Sequence, residues 1–173
     1  MKHILVLLII FGFLSNAEAR RAEVRVDPRD VWALAVNIYH EARGEPGLRN
    51  VGWRSVAAVV FNRLEDGRFP DTIRKVILER DPKTNVCAFS WYCDKFRDRP
   101  RDLKLFRKIH TEARRYLIEY KSGRWRDPTH GAHSYHSVRI PPNEYFRRLR
   151  PIKIVTVEGR GHIFYTDRRN HRG

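Results

Sequence analysis

The residues best suited to chemistry lie in the segment from Tyr39 to Glu45, which reads Tyr-His-Glu-Ala-Arg-Gly-Glu. Glu41 falls near the end of a predicted amphipathic helix, at the edge of its apolar face, with His40 pointing the opposite way. A carboxyl group held partly out of water at such a position can stay protonated and act as a general acid. Arg43 and Glu45 flank a glycine, and we expect them to orient the helix end by ion pairing.

Motifs of several other enzyme classes are absent from the sequence. It contains no His-Glu-x-x-His pair for zinc, no Gly-x-Ser-x-Gly nucleophile and no glycine-rich phosphate loop. His130, His133 and His136 recur at intervals of three, which would align them on a helix, but Gly131 and the surrounding pattern predict a loop or a strand. We therefore expect these histidines to line a groove, and we expect no metal ion and no cofactor.

Catalysis by carboxyl groups is the chemistry that remains. Glycoside hydrolysis usually uses two of them, one as the acid and one as the base or nucleophile. Glu41 is the best acid, whereas Glu45, Asp66, Asp71 and Asp94 are each explained equally well as solvated loop residues. Two reactions therefore stay open. One is hydrolysis assisted by a second carboxylate, and the other is a single-glutamate reaction in which a hydroxyl group of muramic acid attacks its own anomeric carbon.

The N-terminus has the pattern of an export signal. A basic start is followed by an apolar run and by the small-residue pattern Ala17-x-Ala19, which predicts cleavage after Ala19. Residues 1–19 are thus expected to be a signal peptide, residues 20–26 a basic leader, and residues 27–173 one catalytic domain in the periplasm or outside the cell. An uncleaved membrane anchor is the alternative, although the run is shorter than the roughly 20 residues that span a bilayer.

The chain is strongly basic, with a formal net charge of +15 and a pI near 10.5. Such a charge favours anionic partners. The basic residues are scattered along the chain rather than collected in one helix or tail, and export argues against nucleic acid. We therefore expect a monomer whose basic surface adheres to an anionic cell envelope. A non-catalytic cationic protein that binds the wall or permeabilises membranes is the alternative to an enzyme.

Hydrophobic periodicity predicts a mostly helical body followed by a small antiparallel sheet. Helices are expected at about 28–43, 52–64, 73–80 and 101–121, and strands at 133–136, 152–157 and 162–165. The segment from Val56 to Phe61 is apolar nearly all round, so the second helix should be the buried central element, with a buried strand as the alternative. Trp32 and Trp53 are assigned to the core.

Cys87 and Cys93 lie close together in the sequence Cys-Ala-Phe-Ser-Trp-Tyr-Cys. In an oxidising compartment such a pair forms a local disulfide. We expect it to hold in place a loop that carries Phe89, Trp91 and Tyr92. Zinc binding is the weaker alternative, because no further paired Cys or His pattern accompanies the two cysteines.

Six separated blocks of sequence occur together in a recognisable order. They are Tyr39-x-Glu41-Ala42-Arg43-Gly44-Glu45-Pro46, Val56 to Arg63, Arg68-Phe69-Pro70-x-Thr72-Ile73, Cys87-x-Phe89-Ser90-Trp91-x-Cys93-Asp94, Gly131-Ala132-x-x-Tyr135-His136 and Gly161 to Tyr165. In this order they resemble the SleB-type cell wall hydrolases, the family of the spore-cortex-lytic enzymes. The resemblance covers roughly residues 31–166. The chain departs from the family pattern at 141–145, where members often have a tryptophan, and at a lengthened turn at 157–161.

The resemblance implies an α+β, lysozyme-like fold and an enzyme that cleaves the glycan strands of peptidoglycan. Glu41 is the first glutamate of the family's Glu-x-Arg-Gly-Glu block, which makes it the expected catalytic acid and base. A lytic transglycosylase is favoured over a hydrolytic muramidase. Because aromatic rings suit the apolar faces of pyranoses, the side chains expected to line the sugar groove are Tyr39, Phe89, Trp91, Tyr135 and His136. For each aromatic residue, packing in the core is the alternative.

Overall fold

The structure is a computed structural model that describes residues 24–44, 51–94, 99–157 and 160–166. The predicted signal peptide, residues 1–19, lies outside the described residues, and so does Glu45. Within the described ranges no helix is both long enough and apolar enough to cross a bilayer.

The first two helices begin and end close to where the sequence predicts. Helix α1 spans Pro28–Ala42, and the Asp27 side chain accepts a hydrogen bond from the backbone N–H of Arg29 (2.8 Å). Proline fits the first helical position because the N–H that it lacks would have no partner there. Helix α2 spans Val51–Glu65, which rules out the alternative of a buried strand.

Capping residues also begin two of the later helices. Helix α3 spans Ile73–Ile77 after a Thr72 cap, so it is shorter than expected, and the four-residue helix α4 spans Ser90–Cys93. Helix α5 spans Leu103–Lys121, and the Asp102 side chain accepts from the backbone N–H of Leu105 (2.9 Å). It ends before Gly123, whose φ of +69° is a left-handed conformation that favours glycine.

Helix α2 lies at the centre of the core. Its residues from Val56 to Val60 are fully buried, and α1 and α5 contribute further buried aliphatic and aromatic side chains, among them Leu34, Ile38, Ile109 and Leu117. Burying one such side chain stabilises the fold by roughly 1.5–3 kcal/mol. The core therefore holds α1, and with it Glu41, in a fixed place.

A three-stranded antiparallel sheet follows the helical body. Strand β1 spans Ser134–Ser137, the short helix α6 spans Glu144–Arg147, strand β2 spans Arg150–Val157 and strand β3 spans Arg160–Thr166. The strand order is β1-β3-β2, with Tyr135 opposite Phe164. Phe164 packs with Ala132 and with Val59 of α2. This contact fixes the sheet against the central helix.

The two tryptophans assigned to the core have different surroundings. Trp53 is buried, and its indole N–H donates to the carbonyl oxygen of Ala42 (3.3 Å), which ties α2 to the end of α1. The assignment of Trp32 is wrong, because 53% of its surface is exposed. Trp32 lies beside the apolar stripe of α1 rather than on it, and its ring meets α5 at Phe106 (centroids 5.0 Å apart) and at His110 (6.4 Å).

Candidate active site

Glu41 lies in the last turn of α1 and lines a cleft of about 600 Å³. The helix closes with the Arg43 backbone N–H donating to the Tyr39 carbonyl oxygen (3.2 Å). The cleft is lined by His40, Glu41, Arg43, Ser90, Trp91, Asp94, Arg99 and Arg101. These residues come from the end of α1, from α4 and from the segment before α5, so packing of the three elements builds the cleft.

The Glu41 carboxyl group has the electrostatics of an acid. Burial raises its pKa above the ordinary value of 4.5, and the nearby Asp94 carboxylate acts in the same direction. A hydrogen bond from Tyr135 and electrostatic interactions with His162 and Arg63 oppose this rise in the pKa without cancelling it. The negative end of the α1 dipole also disfavours a carboxylate at this position. Glu41 therefore holds its proton to higher pH than a solvated glutamate does.

Arg63 supplies a buried positive charge behind Glu41. The residue is 8% exposed, its Nε–H donates to the His133 carbonyl oxygen (2.8 Å), and its guanidinium lies over the rings of Phe89 (5.0 Å) and Phe69 (5.4 Å). Burial lowers its pKa, yet a guanidinium remains charged in proteins. Arg63 thus both fixes the chain entering β1 and stabilises a negative charge on Glu41 when the proton leaves.

Asn62 anchors the loop that leads to β1. Its Nδ2 group donates to Asp127 Oδ2 (3.1 Å), to Thr129 Oγ1 (3.3 Å) and to the Ala132 carbonyl oxygen (2.9 Å). Asp127 in turn accepts from the backbone N–H of Gly131 (2.6 Å). Sequence analysis gave Asn62 and Arg63 no role. Their position directly after the apolar run from Val56 to Phe61 is the signal that could have identified them.

Strands β1 and β3 bring Tyr135 and His162 to the site. The Tyr135 hydroxyl is a hydrogen-bond partner of the Glu41 carboxyl group, although Tyr135 is not among the residues that line the cleft. Its ring meets His162 edge to face, with centroids 4.8 Å apart. His162 is 8% exposed and was not among the predicted site residues. The pairing of β1 with β3 places it there, which sequence periodicity alone does not reveal.

Two of the aromatic residues predicted to line the groove lie in the core instead. Tyr39 is 2% exposed, and its hydroxyl oxygen accepts from the backbone N–H groups of Arg101 (3.1 Å) and Asp102 (3.0 Å) at the start of α5. Phe89 is 3% exposed and packs beneath the Arg63 guanidinium. Both side chains pack in the hydrophobic core, next to elements that form the cleft, and they do not line the cleft.

Trp91 lines the cleft as predicted, and its side chain also belongs to the hydrophobic core. Its indole N–H donates to Asn37 Oδ1 (2.8 Å), and its ring stacks on His40 with centroids 5.0 Å apart. The expectation that His40 points away from Glu41 is wrong, since both side chains line the same cleft. The predicted Cys87–Cys93 disulfide is present, with Cα atoms 5.8 Å apart, and closes the loop that carries Trp91.

The three evenly spaced histidines have different surroundings. His136 bonds the Ser137 carbonyl oxygen through Nδ1 (2.7 Å) and the Tyr165 hydroxyl through Nε2 (2.9 Å). The contact with Tyr165 joins β1 to β3, so His136 lies within the sheet and is not among the residues that line the cleft. His133 stacks on Phe69 and faces Asp66 (3.4 Å). His130 is exposed, with a φ of +56°.

A sequence-family model described as Cell Wall Hydrolase matches residues 47–165. The spore cortex-lytic enzyme of Halalkalibacterium halodurans is 34% identical over 106 residues, which cover 61% of this chain and 26% of that protein. The spore cortex-lytic enzyme of Oceanobacillus iheyensis is 48% identical over 50 residues, or 29% of this chain and 17% of that protein. The aligned part of the chain thus spans about a quarter or less of these relatives' length.

Two solved structures share the fold. The catalytic domain of the Bacillus cereus SleB protein matches with a TM-score of 0.54 and 26% identity, covering 85% of this chain and 97% of that one. The catalytic domain of SleB from Bacillus anthracis, a germination-specific lytic transglycosylase, matches with a TM-score of 0.51 and 24% identity, covering 83% and 98%. The family model begins after Glu41, so the match does not include that residue.

Proposed function

This chain belongs to the Cell Wall Hydrolase family, and from that membership we propose that it cleaves the glycan strands of peptidoglycan with Glu41 as the acid. The observation that carries the proposal is the half-buried Glu41 carboxyl group, which lies in an open cleft and has a raised pKa. A protonated carboxyl group next to the cleft can donate to a glycosidic oxygen. The bond in question joins N-acetylmuramic acid to N-acetylglucosamine.

The reaction needs one proton transfer in each direction. Glu41 gives its proton to the glycosidic oxygen as the bond from that oxygen to the anomeric carbon of the muramic acid breaks. The Glu41 carboxylate then takes the proton of the muramic acid's own hydroxyl group, which attacks the anomeric carbon and leaves an anhydro end. The Tyr135 hydroxyl and the Arg63 guanidinium stabilise the intervening carboxylate, because both interact with the charged form of Glu41.

Hydrolysis is the second candidate reaction, and the position of Asp94 favours it. Asp94 lines the same cleft as Glu41 and is close enough to influence its pKa. A carboxylate there can activate a water molecule on the other side of the sugar, as a general base does in inverting glycosidases. The product would then carry a reducing end rather than an anhydro end.

The charge and the N-terminal pattern support export to the wall. Residues 1–19 include one lysine and one glutamate, so their removal as a signal peptide leaves the formal charge at +15. Peptidoglycan and the polymers attached to it are anionic, and a basic surface raises the local concentration of enzyme near them. We propose that the chain acts as a monomer in the periplasm or outside the cell.

The mass of the products tests the proposal. Purified peptidoglycan is digested with the protein, and the released muropeptides are analysed by mass spectrometry. Anhydro ends that persist in the Asp94→Asn variant support the single-glutamate reaction. Reducing ends that disappear in Asp94→Asn support hydrolysis. If the protein binds peptidoglycan and releases no fragments, the proposal of an enzyme is contradicted and a wall-binding protein is indicated.

A further inference from the structure

The Cys87–Cys93 disulfide closes the loop that forms one wall of the Glu41 cleft. The loop carries Trp91, and Asp94 follows the second cysteine in the chain; both of these residues line the cleft. The proposed reaction uses neither sulfur atom, and neither cysteine lines the cleft. The disulfide can therefore act on the cleft only through the residues that it holds in place.

The Cys87 end of the disulfide is fixed to the segment that follows α3. Cys87 pairs with Arg80 in an isolated β-bridge, and the next backbone N–H, that of Ala88, donates to the Glu79 carbonyl oxygen (2.9 Å). Phe89 then enters the hydrophobic core, where it is 3% exposed. Because these contacts do not involve the sulfur atom, this side of the loop keeps its place whether or not the disulfide is formed.

The Cys93 end lies at the C-terminus of α4, which is held less firmly. Helix α4 has four residues and no side-chain cap, and a helix this short is not stable alone. Trp91 anchors its middle, because the indole N–H donates to Asn37 Oδ1 (2.8 Å). In the part of the chain that the structure describes, the side chains of Tyr92 and Asp94 make no hydrogen bond or ion pair. The disulfide is thus the covalent tie that holds the end of α4 at the cleft.

The disulfide is accessible to a reductant. Cys93 is exposed and Cys87 is half-buried, so a thiolate in solution can attack the Cys93 sulfur. One thiolate of a dithiol forms a mixed disulfide with Cys93 and releases the Cys87 thiolate, and the second thiolate then releases Cys93. Two electrons pass from the dithiol to the protein, the dithiol becomes a disulfide, and its two protons end on the two cysteine thiols. Because the closed loop is short, losing the cross-link frees little chain entropy, and we expect the domain to stay folded.

The Glu41 carboxyl group interacts with Asp94. The titratable and charged groups around Glu41 come from several elements, namely Tyr135 of β1, His162 of β3, Arg63 of α2, Arg99 and Arg101 before α5, His40 and Arg43 at the end of α1, and Asp94 after α4. Of these groups, Asp94 is the one that directly follows a disulfide cysteine. Burial raises the pKa of Glu41 most, and the negative charge of Asp94 adds to the rise. An Asp94 that moves away therefore lets the proton of Glu41 leave at lower pH.

We propose that Cys87 and Cys93 are positioning residues, whose disulfide holds Asp94 at the cleft, and that its reduction by a dithiol slows cleavage without unfolding the protein. The inference rests on the proposed function of Glu41. Disulfides persist in oxidising compartments, whereas the cytosol keeps thiols reduced. The protein therefore reaches full activity only in a compartment where the disulfide persists.

The rate of muropeptide release from purified peptidoglycan, measured as a function of pH with and without dithiothreitol, tests the inference. Thiol titration verifies the reduction, and circular dichroism verifies the fold. Reduction should lower the rate by about 10–10²-fold, the order of loss that a misplaced group at an active site causes. It should also move the alkaline fall in rate to lower pH, because Glu41 then loses its proton earlier.

The Cys87→Ser/Cys93→Ser protein is the matched control. It should behave like the reduced wild-type protein, both in its rate and in its pH profile. Because the chain has two cysteines in all, dithiothreitol should have no effect on this variant.

An unchanged rate in the fully reduced wild-type protein overturns the inference. A loss by the same factor at every pH also overturns it, because Asp94 is then not the group that the disulfide positions. Unfolding on reduction overturns it too, since the disulfide then serves stability alone. Failure of the proposed function has a different signature, in which the oxidised wild-type protein releases no muropeptides at any pH.

Discussion

Glu41 and Asp66 show how the same functional group acquires opposite properties at the scale of a residue. Burial raises the pKa of Glu41, whereas the Arg68 guanidinium, which is hydrogen-bonded to both carboxylate oxygens, holds the pKa of Asp66 well below its usual range. Glu41 is therefore ready to give up a proton, and Asp66 is fixed as an anion. The assignment of chemistry to Glu41 depends on this contrast.

The stability of Glu41→Gln as a function of pH tests the raised pKa. A carboxyl group with a raised folded-state pKa stabilises the fold below its unfolded pKa, and this contribution is lost as pH rises through the folded pKa. Glutamine mimics the neutral form, so the variant should have a higher Tm than the wild type at pH 8, with no difference at pH 4. Each kcal/mol corresponds to roughly 2–4 °C in Tm for a domain of this size.

Asp66→Asn is the matched control, because the pKa of Asp66 is lowered rather than raised and its effect on stability should depend on pH in the opposite sense. A lowered folded-state pKa stabilises the fold above the unfolded pKa, and this contribution is lost as pH falls through the folded pKa. The Asp66→Asn protein should be less stable than the wild type at pH 8 and approach it in strong acid. A Glu41→Gln protein no more stable than the wild type at pH 8 would contradict the electrostatic description of the site.

At the scale of elements, the position of Tyr135 depends on how the loop before β1 is fixed to α2. Asn62 reaches three acceptors of that loop. Asn62→Ala leaves the Ala132 carbonyl oxygen without the donor that Asn62 supplies, at a cost of about 1–3 kcal/mol. The variant should have a lower Tm and a lower kcat, because Tyr135 loses its support. The exposed Thr111 offers a control, since Thr111→Ala removes a side-chain hydrogen bond to the Arg107 carbonyl oxygen on α5. Equal kcat values for Asn62→Ala and the wild type would contradict this role.

Helix boundaries could be predicted from the sequence, because they depend on local signals. Asp27, Pro28, Asp102 and Gly123 act through contacts within a few residues of the chain. The contacts that complete the site could not be predicted in the same way. Arg63 and His133 are 70 residues apart in the sequence, and their hydrogen bond depends on the packing of the sheet against α2.

The burial of side chains at helix ends and edges also could not be predicted from the sequence. The sequence predicts Trp32 in the core, yet it is exposed, and it predicts Tyr39 in the groove, yet the Tyr39 hydroxyl caps α5 from the core. Hydrophobic periodicity places a residue relative to its own helix. Whether a neighbouring element covers that face is a tertiary property, which the periodicity does not contain.

At the scale of the whole molecule, the net charge of +15 should control how the protein meets its substrate. Attraction between exposed charges is screened as salt shortens the Debye length from about 30 Å at 0.01 M to about 3 Å at 1 M. Adsorption to purified cell walls, measured by sedimentation, should therefore fall steeply over this range. Affinity for an uncharged oligomer of N-acetylglucosamine should change little. Adsorption that is independent of salt would mean that charge does not provide the wall affinity.

Loss of peptidoglycan cleavage in Glu41→Gln is the most direct test of the central claim that one glutamate supplies the acid. Wild-type and variant proteins are compared on purified peptidoglycan by the rate of muropeptide release, with circular dichroism to verify the fold. The variant should be slower by about 10²–10⁴-fold, the usual contribution of a general acid. Asp71→Asn, at a side chain that is 79% exposed, should cleave at the wild-type rate. A folded Glu41→Gln protein that releases the same muropeptides at the wild-type rate would contradict the assignment.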